Sequence, residues 1–451
     1  MVEKPAYPAN GCTLSAAQIE TNFSDLHKPL SATQAISAAD SCIYCYDAPC
    51  INACPTSIDI PTFIHQIKTA NITGSAETIL AANIMGGTCA RACPTEVLCE
   101  QACVRNHTGE EPVQIGALQR YAVDHLMAKD APHPFSRAKD SGKHIAIIGA
   151  GPAGLSCAHR AAMLGHDVTI FEAKAKPGGL NEYGLAAYKM ADNYAQREVE
   201  FLLDIGGITL EYGQALGQQV SLKDLQTRFD AVFIGVGLGD ANTLNLPGNT
   251  LPGVENAITF IENLRQSEDK SELSIGSNVV VIGGGNTAID AAIQAKRLGA
   301  KHVTLAYRRG EAQMSATDWE VDLARSNGVN IELWASPAAL NGSAALESIS
   351  FDSMIIEGGA YKKKGEIFTL PADQVLVAIG QTLSTSELQG LNIEKGKVVV
   401  NSRAETSLKG VFAGGDCIAS GEDLTVQAVE DGKQAAHAID QYLSANSETR
   451  A

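Results

Sequence analysis

The sequence predicts an α/β protein whose first third is helical and crowded with cysteine, and three observations carry that expectation. Eight of the eleven cysteines fall between residues 42 and 103, in a stretch whose apolar residues recur at three and four. Two later segments, starting near His144 and Ser277, each read strand, glycine turn, amphipathic helix, strand, as an internal βαβ repeat. A strand, a turn and a closing helix, "GVFAGGDCIASGEDLTVQAVEDGKQAAHAIDQYL", then follow, so that the second unit lies inside the first.

The elements follow in chain order. In the first third, "IPTFIHQIKTA", "SAETILAAN" and "IGALQRYAVDHLMA" are expected as short helices. The prolines and charges of "KDAPHPFSRAKDSGK" mark a linker. The expected divisions are 1–142 for the helical domain, 143–247 and 372–451 for the two parts of the first α/β domain, and 248–371 for the inserted one. At 451 residues, 45% hydrophobic and 19% charged, the chain can bury sizeable cores and is not globally disordered. A net charge of −17 excludes a nucleic-acid groove as its main business; it serves solubility, or steering toward a basic surface. "MVEKPAYPANGCTLS" lacks the basic and apolar regions of a secretory signal, and no apolar run is long enough to span a membrane. A cytoplasmic, thiol-reducing location is therefore expected, where crowded cysteines point to metal rather than to disulfides.

The first glycine turn is Gly149-Ala-Gly151-Pro152-Ala153-Gly154. Glycine there permits a tight turn and close approach of backbone to a pyrophosphate, which meets the positive end of the next helix. Glu172 ends the following strand, 23 residues after Gly149, where a carboxylate accepts hydrogen bonds from a ribose. The second turn, Gly283-Gly284-Gly285-Asn286-Thr287, has the same setting. There Tyr307 stands in place of the acid, followed by Arg308 and Arg309. Losing an acid and gaining arginines suits a 2′-phosphate, hence NADPH rather than NADH, unless the arginines are merely solvated. "DAVFIGVGLG" and "DQVLVAIGQ" are further strands ending in glycine, the latter carrying the candidate nucleotide-binding residues Ala378 and Gly380.

The cysteines run Cys42-x2-Cys45-x4-Cys50-x3-Cys54-Pro and Cys89-x3-Cys93-Pro-x4-Cys99-x3-Cys103. Zinc sites favour two separated, closely spaced pairs. Runs of four with proline directly after a cysteine are closer to bacterial ferredoxin usage. The spacing predicts two 4Fe–4S clusters and does not assign every ligand. Cys157 and Cys417 stand alone and are expected to be small buried residues; Cys12 is expected to be a free thiol.

From residue 143 onward, "IAIIGAGPAG", Gly178-Gly179-Leu180 and "GVFAGGD" resemble the flavin disulfide reductases. The resemblance implies bound FAD and two Rossmann-like domains, the second inserted in the first. It also implies Asp416, after Gly415, on the ribityl chain, and a helix entered near Thr425 aimed at the isoalloxazine. No paired redox cysteines accompany these motifs, so electrons must leave the flavin by another route. From "CIYCYDAPCINACPTSIDI" through "VQIGALQRYA", and over about residues 20 to 445, the chain resembles the N-terminal half of dihydropyrimidine dehydrogenase, in bacteria a separate NAD(P)H- and FAD-binding subunit. This implies one cluster on Cys42, Cys45, Cys50 and Cys103, and a second on Cys54, Cys93, Cys99 and Gln119, with Cys89 a bystander. Lys189 would lie near the flavin; on the residues alone it is equally a solvated lysine. The resemblance also implies an FMN- and iron–sulfur-containing catalytic subunit as partner, since no acid–base constellation for reducing a pyrimidine is visible here. The small subunit of NADPH-dependent glutamate synthase has nearly the same cysteine layout, but usually Glu where Gln119 stands. A freestanding NAD(P)H oxidoreductase acting on a ferredoxin-type carrier is a third reading. The pyrimidine enzyme has a third basic residue where Ser315 stands, and Glu311 lies close by, so NADH stays open.

Overall fold

The computed structural model describes residues 14–128 and 132–448; Cys12 lies outside the described residues. Two compact units emerge. One gathers the described residues up to Leu26, Tyr183–Ala191 and Ala241–Gln381; the other gathers His27–Glu182, Asp192–Asp240 and the described residues from Thr382.

The second of these units opens with helices Ala32–Asp40 and Pro49–Asn52, and the expected helices follow. Ile60–Lys68 starts where Asp59 accepts a hydrogen bond from the Thr62 N–H and Pro61 occupies the first turn; it buries Ile60, Phe63, Ile64 and Ile67 along one stripe. Ile72–Ala82 is capped by Asn71, and Ile115–Met127 buries Ile115, Leu118, Ala122, Val123 and Leu126. A five-stranded parallel sheet follows, in the spatial order Val411–Ala413, Ala231–Ile234, His144–Ile148, Asp167–Glu172, Ile208–Tyr212. The central strands are almost continuously apolar because helices cover both faces of such a sheet. Two of those helices, Pro152–Met163 and Thr425–Glu448, pack closely over Gly432, where a Cβ would stand 2.1 Å from the Ala153 carbonyl oxygen. One buried core runs from Phe63, Ile79 and Leu118 of the helical region to Ile145, Leu155, Ile170 and Ile439 of the sheet region. The described part of the expected linker is strapped to this core. Arg137 binds Asp167 at 2.8 Å, and His133 packs between Phe201 and the buried His159.

The other unit has its own five-stranded parallel sheet, ordered Val254–Asn256, Gln374–Val377, Asn278–Ile282, His302–Tyr307, Asn330–Leu333. All its strands lie in the chain between Ile234 and Val411, so the second α/β unit is inserted in the first, as expected. An antiparallel sheet of Ala335–Asn341, Ser348–Glu357 and Ala360–Pro371 accompanies it. Two short pieces join this unit across sequence. Helix Ala16–Asn22 exchanges backbone–side-chain hydrogen bonds between Asn22 and Arg297, and Tyr183–Ala191 buries Tyr188 beside Asp290. Grouped by packing, the described residues up to Leu26 fall with this unit. Among the described residues no helix is long and apolar enough to cross a membrane.

His159 makes acid stability testable. It is 2% exposed, and burial pushes its imidazole down to about 3, with His133 and Arg160 adding to the effect. Above the ordinary value of 6.5 the side chain is neutral in both native and unfolded chains. Below it the unfolded chain takes up a proton that the native one refuses, so stability falls with pH over that window. This residue should cost about 1.4 kcal/mol per pH unit below 6. His159→Leu should flatten the pH dependence of the unfolding midpoint between pH 7 and 5; an unchanged slope would contradict the assignment.

Candidate functional site

The first turn is built by three glycines with three different reasons to be glycine. Gly149 has φ +96, and a Cβ there would stand 2.5 Å from the Gly235 carbonyl oxygen. At Gly154 a Cβ would stand 2.0 Å from the Gly149 oxygen, so this glycine lets helix and strand close on each other. Gly151 differs. Its φ is ordinary, and a Cβ would meet nothing nearer than the Gly179 Cα at 3.9 Å. What Gly151 preserves is open space in front of the helix that Pro152 begins, a cradle a phosphate would fill. Gly179, followed by Leu180 at the start of a short helix, and Gly415, whose Cβ position lies 3.1 Å from the Ala153 Cβ, line the same place. Glu172 is buried, and its two carboxylate oxygens accept from the N–H groups of Ala150 and Lys174, each at 2.7 Å. The acid therefore also braces the turn, and its remaining lone pairs are what a ribose hydroxyl would find. Burial pushes the Asp416 carboxyl up to about 6, Asp423 adding to it and Lys397 opposing. Thr425 opens the last helix and donates from its hydroxyl to the Asn181 amide oxygen at 3.0 Å.

The second turn follows the same plan with closer walls. A Cβ at Gly283 would stand 2.2 Å from the Ala378 carbonyl oxygen, and Ala378 itself donates to Ile282 at 2.8 Å. Gly285 caps helix Asn286–Arg297, whose first turn holds Asn286 and Thr287, and its Cβ position lies 3.0 Å from the Ser315 hydroxyl. Gly380 has φ +96 and accepts from the Asn242 N–H at 3.0 Å. Arg308 is exposed and Arg309 half-buried. Glu311, expected to oppose them, is engaged by Arg325 at 2.5 Å. Lys189 is no solvated lysine. It is 8% exposed, with its ammonium on Asp290 at 2.8 Å and on Glu320. Burial alone would lower its pKa; the two carboxylates outweigh burial and raise it.

The cysteines gather in two sets. Cys42, Cys45, Cys50 and Cys103 line one cavity backed by Ile60, Ile64 and Val113. Burial, then the neighbouring Cys42 and Cys103, push the Cys50 thiol up to about 11; Cys42 is raised by burial and by Cys45 and Cys103. Such crowded thiols resist ionising until a soft cation takes them, which suits iron–sulfur ligation. The second set joins Cys93 with Cys99, Cys54 and Cys89. Cys93 is raised by a hydrogen bond with Cys89, then by burial and by all three neighbours, and Cys99 by burial, Glu100 and Cys54. Gln119, on helix Ile115–Met127, is buried and donates from its amide nitrogen to the Gly86 carbonyl at 2.6 Å. That bond commits the nitrogen and leaves the amide oxygen as the atom with ligand character. Among the described residues no three His, Cys, Asp or Glu side chains converge closely enough for a single ion.

One network has no counterpart in the sequence reading. Glu198, on helix Tyr194–Leu203, is fully buried and accepts from the N–H of Thr88 at 2.9 Å and from its hydroxyl. Burial pushes its carboxyl up to about 7 against the pull of those bonds. Arg91 lies over the Tyr194 ring at 3.4 Å and binds Asp124 at 2.7 Å. The only local signal was a glutamate on the apolar stripe of an amphipathic helix.

Residues 143–432 match the family model of the pyridine nucleotide-disulphide oxidoreductases, and residues 19–131 match that of dihydropyrimidine dehydrogenase domain II, 4Fe-4S cluster. The chain is 33% identical over 425 residues to the NAD-dependent dihydropyrimidine dehydrogenase subunit PreT of Escherichia coli (strain K12), covering 94% of this chain and 98% of that one. It is also 33% identical over 446 residues to the small chain of NADPH glutamate synthase from the same organism, covering 93% and 94%. Mycobacterium tuberculosis FprA, solved with NADPH, superposes with a TM-score of 0.58 at 20% identity, covering 68% of this chain and 86% of that one, and so shares the fold.

Gly151 separates binding from folding. Gly151→Ala has room for its Cβ, so the melting temperature of the flavin-free protein should stay close to the parent's. The variant's flavin content after dialysis should fall with an affinity loss of about tenfold or more, about 1.4 kcal/mol. Full flavin retention would show that the cradle lies elsewhere.

Proposed function

The chain belongs to the pyridine nucleotide-disulphide oxidoreductase family, and from that premise we propose that it is the electron-input subunit of a dihydropyrimidine dehydrogenase. It takes electrons from NAD(P)H and delivers them to an FMN- and iron–sulfur-containing partner that reduces uracil or thymine to the 5,6-dihydro forms. The observation that carries this reading is the single core shared by the cysteine-bearing helices and the first sheet. Groups seated on either side of that core keep a fixed separation, as electron transfer requires.

FAD and two 4Fe–4S clusters, when bound, supply the exchange between two-electron hydride chemistry and single-electron carriers. The chain's own residues bind and orient. Gly149, Gly151, Gly154 and Glu172 hold one dinucleotide, with Gly179, Gly415, Asp416 and Thr425 around it. Gly284, Gly285, Ala378 and Gly380 hold the other, with Arg308 and Arg309 at the end of the adjoining strand. Cys42, Cys45, Cys50 and Cys103 would hold one cluster, and Cys54, Cys93 and Cys99 with the Gln119 amide the other. Lys189, spent on Asp290 and Glu320, anchors segment Tyr183–Ala191.

A second reading, the small subunit of an NADPH-dependent glutamate synthase, draws on an equal likeness. Gln119 favours the first. Its bond to the Gly86 carbonyl needs an N–H donor, which a glutamate carboxylate lacks.

Tagged protein purified anaerobically from its native host, with whatever binds it, should oxidise NADH or NADPH in a uracil-dependent way and carry an FMN-containing chain identifiable by mass spectrometry. A glutamine-dependent partner would move the assignment to the second reading, and no partner at all would sink both. Gln119→Ala should alter the electron paramagnetic resonance signal of one reduced cluster while flavin stays bound, whereas Cys89→Ser should leave iron content unchanged. The reverse pattern would make Cys89 the eighth ligand.

A further inference from the structure

The two arginines that follow strand His302–Tyr307 are held very differently. The Tyr307 ring closes on the second turn: a Cβ at Gly284 would stand 2.6 Å from it, and its hydroxyl donates to the Gln313 carbonyl at 2.5 Å. The end of that strand is thereby pressed against the turn, where the adenosine ribose comes when a pyrophosphate sits on the helix. Arg308 extends into solvent. Arg309 lies over the ring of Tyr361, 5.2 Å from its centroid, and its carbonyl accepts from the Trp334 N–H at 3.1 Å. Trp334 and Tyr361 pack with centroids 6.3 Å apart. Trp334 takes a left-handed backbone, φ +59, and its ring lies so near Gly310 that a Cβ there would come within 2.7 Å. The Arg309 guanidinium thus meets Tyr361 of the antiparallel sheet, its backbone is tied to Trp334 between strands Asn330–Leu333 and Ala335–Asn341, and the nearby acid, Glu311, is taken by Arg325.

We propose that Tyr361, on the edge strand Ala360–Pro371, is a positioning residue for nucleotide choice: its ring holds the face of the Arg309 guanidinium so that the N–H edge receives a ribose 2′-phosphate. The inference rests on the reading that the second turn holds NAD(P)H. A guanidinium held over a ring by cation–π attraction spends none of its N–H donors on that contact, so they stay available to a phosphate. The contact also limits the rotamers of a long side chain before the ligand arrives, so less freedom is lost on binding. Tyr361 is 43% exposed, and its loss should leave the fold standing.

The test titrates 2′,5′-ADP and 5′-ADP into the full flavin- and iron-loaded chain by calorimetry, for the parent, Tyr361→Ala and Tyr361→Phe. The parent should favour 2′,5′-ADP. Tyr361→Ala should weaken that ligand about three- to fivefold, the worth of one partly exposed cation–π contact, with 5′-ADP unchanged. Tyr361→Phe, which keeps the ring, should match the parent. Equal weakening of both ligands, or no weakening, would overturn the role of Tyr361. A parent that binds the two equally would overturn it too, while leaving the oxidoreductase reading intact. A parent that binds neither would overturn the nucleotide reading itself.

Discussion

The last carbonyls of helix Ile72–Ala82 hold the cysteine-bearing region to the first sheet. A helix ends with carbonyl groups that have no partner within the helix and carry partial negative charge. Here Arg160, from the helix after the first glycine turn, donates to the Ala81 carbonyl at 2.8 Å. Lys433, from the final helix, donates to the Ala82 carbonyl at 2.9 Å and reaches the carbonyl of Thr56, two residues past Cys54, at 3.4 Å. Two cations thus tie the cysteine loops to the helices that frame the first cradle. The buried Thr88–Glu198 contact repeats the junction one helix further on. These ties fix the loop beyond Cys54 against the helices beside the glycine turn.

What could be read without coordinates divides along physical lines. The glycine turns were legible because a positive φ or a backbone approach near 2 Å admits one residue type, and the strand and helix around each confirm the setting. The short helices were legible from the spacing of Ile60, Phe63, Ile64 and Ile67. Long-range polar partners were not. Lys189 finds Asp290 and Glu320 about a hundred or more residues away, and no local pattern marks the three as a set. Gln119 sits on a helix as an ordinary polar residue until its partner at Gly86 is known. The antiparallel sheet carries a readable hairpin signal in Gly358-Gly359, with φ +62 and +77. Its strands are largely exposed along the outer edge, however, and so lack the apolar run that draws attention.

The thiol chemistry and the packing support each other. Burial and neighbouring charge raise Cys50 and Cys99, and the hydrogen bond with Cys89, then burial, raises Cys93. Ionising a full set therefore waits for a cation to offset these effects, and metal loading becomes coupled to protein order. The surrounding apolar core excludes water, which raises the strength of every charge interaction inside it.

The edge strand Val411–Ala413 and the final helix complete the first sheet, and this order matters while the chain is being made. Every cysteine of the two sets is synthesised more than three hundred residues before Lys433, the residue that reaches the loop beyond Cys54. At about 5–20 residues per second, the thiols wait tens of seconds for the helix that fastens them. During that interval the loop beyond Cys54 has no contact from the final helix. The long insertion between the two parts of the first sheet therefore sets how long the cysteine loops go unfastened in the nascent chain.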